Sequence, residues 1–326
     1  MFTVKLISRN AQQRLLVLID RYYKLIIFVP TTGFLFFYFN PFPVFQAPYS
    51  TNVAAGFALP LPVNYSSANL LPAITNRLFS VSIGEPNPIY LDIWLSILIA
   101  SIFAIFISIF RSLEIRIFKI LSIFVFIFLP MHSLLLNSFD LYNIYIYLGI
   151  ALCCKAFFSS IRYFYVGAAI FIFAHPEQAL AAFTCLFILT LTVRFQSLRK
   201  PALVTFILSV IAYLSIHFWF YTNGFRGSRT IEILFSLPNS IREHLMDLYA
   251  SVEVIVLMYG VFWPMVIFYL TKVALNKREK VIYAFSLLGL PILFWFITSD
   301  GLRCVVPITT LLTLTISSHF LNPAKI

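Results

Sequence analysis

Five small groups of ionisable residues stand at the ends of apolar runs: Glu85 with Asp92, Asp140, His175 with Glu177, Arg226 and Arg229 with Glu232, and Asp300 with Arg303. They supply carboxylates and an imidazole that can exchange protons, beside guanidinium groups that can hold an anion. Charges so near apolar segments are costly to place, and their gathering at one end of several runs points to a shared polar cavity. Each group also has an ordinary structural explanation. Asp140, in Ser138-Phe139-Asp140, suits a helix cap. His175-Pro176-Glu177-Gln178 reads as a tight turn, with Pro176 at the first helical position and Glu177 at the positive end of the helix. Arg226 and Arg229 suit lipid headgroups, and Asp300 with Arg303, three apart, suits a local ion pair. His132, His217 and His319 stand alone among apolar neighbours and read as packing residues.

The elements that must position these groups follow from composition. Hydrophobic residues make up 61% of the 326 and charged residues 11%, against about 45–50% and about 25% in soluble domains. A water-soluble globular fold is excluded, as are a disordered chain, since 37 residues are Phe, and a disulfide-stapled module, since only four are Cys. Cys153, Cys154, Cys185 and Cys304 fall in or beside apolar runs and read as small packing residues. The expected fold is all-α: one polytopic membrane domain over residues 1–326.

A hydrocarbon core of about 30 Å needs about 20 apolar residues in helical form, because each backbone amide must be satisfied within its own helix. Ten such runs lie near 22–39, 90–110, 117–136, 141–158, 160–174, 177–193, 202–220, 252–274, 281–298 and 304–321. The fifth is short and begins at Arg162. With the N-terminus inside, 18 of the 23 basic residues face the cytoplasm and nine of the twelve acids face out, which is the bias that orients helical membrane proteins. Net charge +11 is therefore explained by topology and implies no nucleic acid. Removing the fourth and fifth runs together preserves the alternation, so eight spans is the alternative to ten. Both termini are expected in the cytoplasm, with the first run a retained signal anchor in a bacterial inner membrane or a plasma membrane.

Two long outer segments stand out. Residues 40–89 carry eight prolines and almost no charge, a composition for irregular backbone with short helical pieces lying as a lid on the bundle mouth. Asn64-Tyr65-Ser66 in it has the form of a glycosylation sequon. In 221–251, Ser240-Ile241-Arg242-Glu243 has the form of a capping box, and Ile241, Leu245, Leu248 and Tyr249 follow at helical spacing. That spacing predicts a short amphipathic helix in the interface. Ser96, Ala100, Ala104 and Ser108 repeat every four residues and predict a close-packed helix seam. Pro130, Pro264 and Pro291 interrupt apolar runs.

This layout resembles the integral-membrane glycosyltransferases of the GT-C fold, which use polyprenyl-phosphate sugars. The likeness is topological and covers most of the chain: a long outer loop at 40–89 after the first span, Asp140 between the third and fourth, the His175-Pro176-Glu177 turn, an interfacial helix within 229–250, and Arg303-Cys304-Val305-Val306-Pro307 at a late outer turn. The chain departs from the family in Asn40-Pro41-Phe42-Pro43, where an acid is usual, its first outer acid being Glu85. The resemblance implies sugar transfer from a lipid-linked donor in the bilayer to an outer acceptor, with Asp140, or second Glu85, as general base. It further implies that Arg303, Arg226 or Arg229 holds the lipid phosphate, while His175 and Glu177 position the sugar or a divalent metal, which the chemistry allows and does not require. The competing classes are a transporter or flippase and a noncatalytic multispanning subunit. The oligomeric state stays open.

Overall fold

The computed structural model of the chain describes residues 17, 22, 70–79, 89–113, 125, 131, 141–222, 248–297 and 301–321. Among them every regular element is helical. In chain order these are α1 (Leu70–Leu78), α2 (Ile89–Ser112), α3 (Leu141–Ala156), α4 (Arg162–Ala174), α5 (Pro176–Leu189), α6 (Arg199–Thr222), α7 (Leu248–Tyr259), α8 (Trp263–Phe268), α9 (Lys277–Ala284), α10 (Leu290–Ile297) and α11 (Gly301–Leu321). A 3-10 turn, Val193–Leu198, leads into α6, and another, Gly260–Phe262, joins α7 to α8. Tyr269–Val273 and Phe285–Gly289 are π-helical.

Three stretches among the described residues are long and apolar enough to cross a membrane: Ile89–Ser112, Val193–Ile216 and Lys277–Phe296. The other apolar helices are shorter, α5 having 14 residues and α4 only 13. At a rise of about 1.5 Å per residue, α5 covers roughly 21 Å, less than a hydrocarbon core of about 30 Å. Their burial differs: α4 exposes Tyr165, Val166 and Phe173, while α5 and α11 lie inside. In α11 every residue from Val305 to Ser318 is buried, and no described residue of α5 is exposed. The long helix α6 instead turns Leu203, Ile207, Ile211, Leu214 and Phe218 outward along one face. Such an exposed apolar face is compatible with contact with lipid tails.

The runs expected near 22–39 and 117–136 lie almost wholly outside the described residues, as does the capping box at Ser240. The run expected over 252–274 is broken. The break falls at Gly260, whose φ of 51° lies in the left-handed region, and not at Pro264, which sits at the start of α8 where a missing N–H is harmless. In the next run Pro291 offers no N–H to the carbonyl four residues back, Leu287, and the Tyr259 hydroxyl donates to that oxygen instead, at 2.6 Å. The seam expected on α2 is corrected as well: Ser96, Ala100 and Ala104 are exposed, and α2 buries Leu91, Leu95, Leu98, Ile102 and Phe106.

Among the described residues, α3 and α4 approach backbone to backbone. A Cβ on Gly149 would stand 2.7 Å from the Gly167 carbonyl oxygen, and one on Gly167 would collide with the Gly149 carbonyl, so the two backbones touch. Helices α3, α5 and α11 run in the same direction. Cys154 near the end of α3 lies 4.0 Å from Ser318 near the end of α11, and Phe195, just past α5, packs its ring 5.5 Å from that of His319. Their starts therefore share the opposite end of the bundle, with α11 in contact with both α3 and α5.

Candidate functional site at the rim where three helices start

At that rim the geometry of α5 is set by its first residues. His175 has extended backbone, φ −159° and ψ 90°, and serves as N-cap, its Nδ1 accepting from the Gln178 N–H at 3.4 Å. That bond places the proton of a neutral ring on Nε2. Pro176 opens the helix without needing a donor, and Glu177 lies in the first turn, half-buried, where the helix end favours negative charge. Gln178 is only 4% exposed, and its Oε1 has no hydrogen-bond partner among the described residues.

The neighbouring elements are pinned by polar contacts. Tyr145, on the first turns of α3, shares a 2.7 Å hydrogen bond with Thr75 of α1, and Trp94 Nε1 of α2 donates to the same hydroxyl at 2.8 Å. Since the Thr75 hydroxyl donates to Leu71 O at 2.9 Å, the Tyr145 O–H donates to Thr75. Helix α1, a short piece at the end of the Pro-rich segment, thereby rests on α3 and α4. Asn143, fully buried, lies on the first turn of α3.

The site residues named from the sequence divide as follows. His175 and Glu177 stand at the rim as described. The side chain of Arg303 lies outside the described residues, while its backbone is in the first turn of α11 at the same rim. Asp140 is the residue before α3 in sequence. It lies outside the described residues, as do Glu85, Arg226 and Arg229. Among the described residues no three of His, Cys, Asp and Glu gather as metal ligands, and Cys153, Cys154 and Cys185 are buried free thiols.

No known family, curated protein or solved structure matches this chain. The site must therefore be read from its own residues. Gln178 and Asn143 were missed because an amide in an apolar run carries no charge to mark it. The one signal for Gln178 was its place right after the His-Pro-Glu turn.

The opposite end of the bundle holds a second polar cluster. Glu279, 4% exposed, accepts from the Val193 N–H at 3.1 Å and the Leu275 N–H at 2.8 Å, and its own N–H donates to Asn276 Oδ1 at 2.9 Å. Beside it, Tyr269 bonds to Ile316 O at 3.3 Å and to His319 Nδ1 at 3.1 Å, and its ring packs edge-on to Tyr283. The Glu279 bonds tie a turn and a loop to the start of α9, and the Tyr269 bonds tie a π-helical segment to the last turns of α11. This cluster locks the fold, and His319 belongs to it rather than to a site.

Proposed function

We propose that the protein is a multi-pass membrane enzyme that transfers a sugar from a lipid-phosphate donor at the rim where α3, α5 and α11 start, with that rim outward and both termini in the cytoplasm. The observation that carries this reading is the common start of three parallel helices, with α11 packed on both α3 and α5. It supports a shared site because His175, Glu177 and Gln178 lie at the start of α5 and Arg303 in the first turn of α11, while Asp140 directly precedes α3 in sequence. Three positive helix ends favour an anionic group such as a lipid phosphate. The unpaired Gln178 oxygen is an acceptor suited to a sugar hydroxyl.

In this reading Asp140 takes the proton of the acceptor hydroxyl as its oxygen attacks the anomeric carbon. The bond from that carbon to the phosphate oxygen breaks, and its electron pair leaves on the lipid phosphate. Arg303, with Arg226 and Arg229, holds that phosphate, and guanidinium suits the task because its forked donors match phosphate oxygens. Glu85 is the second choice of base.

The test is surface-glycan complementation in a host lacking the gene. Asp140→Asn and Arg303→Ala are expected to abolish glycan at unchanged membrane abundance, with Gln178→Leu reducing it. Normal glycan from Asp140→Asn and Arg303→Ala would refute the proposal.

A further inference from the structure

The joint between α7 and α8 is a break in an otherwise apolar helix. The groups it frees are met in part locally: Trp263 Nε1 donates to Ile255 O at 3.1 Å and to Val256 O at 3.3 Å. Facing the joint is α11. Thr310, Thr313 and Ser317 recur at the spacing of one helix face, and Ser317 Oγ donates to Met265 Sδ at 3.6 Å, which turns that face toward α8. The two segments run the same way, since α7 also packs on α11 and Tyr269, one turn past Met265, bonds to His319 near the end of α11. One and two turns back from Ser317, Thr313 and Thr310 share its face, on the side of α11 that packs along the α7–α8 segment.

Both threonines are fully buried, and neither hydroxyl has a hydrogen-bond partner among the described residues. Their neighbours behave differently: Thr309, Thr315 and Ser318 donate to the carbonyls of Val306, Leu311 and Leu314 within their own helix. A buried hydroxyl left without a partner is costly, so these two oxygens are explained best by a ligand. The surroundings are rich in acceptors. The C-terminal end of α7 ends at the break with partial negative charge, Pro264 brings no N–H, and no Lys, Arg or His occurs in 255–267 or 305–318.

We propose that the α7–α8 break and the Thr310–Thr313 face form a binding site for a small monovalent cation held by hydroxyl and main-chain oxygens. Hard cations take such oxygen ligands, and interrupted membrane helices supply them. No carboxylate occurs in these two segments, so the ion binds weakly and exchanges readily. The site is independent of the sugar-transfer reading, and neither fails with the other.

The test uses the full-length protein in lipid nanodiscs, unfolded by heat in sodium, potassium or N-methylglucamine chloride at equal ionic strength. Sodium or potassium at about ten times its dissociation constant is expected to raise the midpoint by about 3 °C over N-methylglucamine. The Thr310→Val/Thr313→Val double variant loses that difference. Thr184→Val keeps it, because the Thr184 hydroxyl is already used by Leu180 O at 2.6 Å. Binding of radioactive sodium or potassium to the unaltered protein gives a readout even if the double variant fails to fold. Equal midpoints in the three salts with no bound radioactivity, or a shift that survives in the double variant, would overturn the proposal.

Discussion

Replacing Glu279 tests whether one buried carboxylate holds together the end of the bundle opposite the site. Its two oxygens take the Val193 and Leu275 N–H groups at 3.1 and 2.8 Å, joining the 3-10 turn before α6 to the start of α9. In Glu279→Ala both donors lose their partner, and each orphaned buried N–H costs about 1–3 kcal/mol. Val193 is 64% exposed and Leu275 67%, so water reaches both amides and the lower part of that range applies. The expected loss is about 2–3 kcal/mol. Glu279→Gln keeps one carbonyl oxygen and the side-chain length, so it is expected to lose roughly half as much. Asn276→Ala removes the cap that receives the Glu279 N–H and costs about 1 kcal/mol. The assay is reversible unfolding in mixed micelles followed by tryptophan fluorescence, with Glu279→Ala and Asn276→Ala combined as a double-mutant cycle. The pair is expected to be non-additive, since both act on the first turn of α9. A Glu279→Ala protein within about 0.5 kcal/mol of the parent would refute the reasoning, since the two main-chain donors would then be as well satisfied by water as by the carboxylate.

Two glycines are expected to respond in opposite ways. Gly167→Ala drives a methyl group into the Gly149 carbonyl and to 2.7 Å from the Cys153 N, both of them backbone atoms. It is expected to cost about 3 kcal/mol or more in the same unfolding assay, and a neutral result would show that α3 and α4 separate freely. Gly260→Ala meets no atom within 4 Å and pays only for its φ of 51°, about 1 kcal/mol, so a loss as large as that of Gly167→Ala would contradict the open space beside the break.

Much of the helical framework was legible because apolar run length and turn chemistry are local properties. The run at 90–110 is α2, and the His175-Pro176-Glu177 turn is the start of α5, with Pro176 and Glu177 in the roles their chemistry suggested. The break at Gly260 was not legible, since residues 254–270 carry no charged residue and Pro264 drew attention to the wrong position. The small-residue stripe on α2 misled for another reason: small side chains permit a close approach without compelling one. The true close approach, at Gly149 and Gly167, rests on one glycine from each helix, and no periodicity marks it.

Composition and spacing alone determined that the chain is apolar enough to build helical, bilayer-crossing segments and, among the described residues, roughly where α2 to α6 and α11 lie. Only the tertiary structure decided which of the described helices lie inside and which face out, and that α11 is buried between α3 and α5. The reason is physical. In water a helix declares its buried face by polarity, but lipid tails are as apolar as a protein core, so faces are sorted by packing and by buried hydroxyl and amide partners that one strand of sequence does not display.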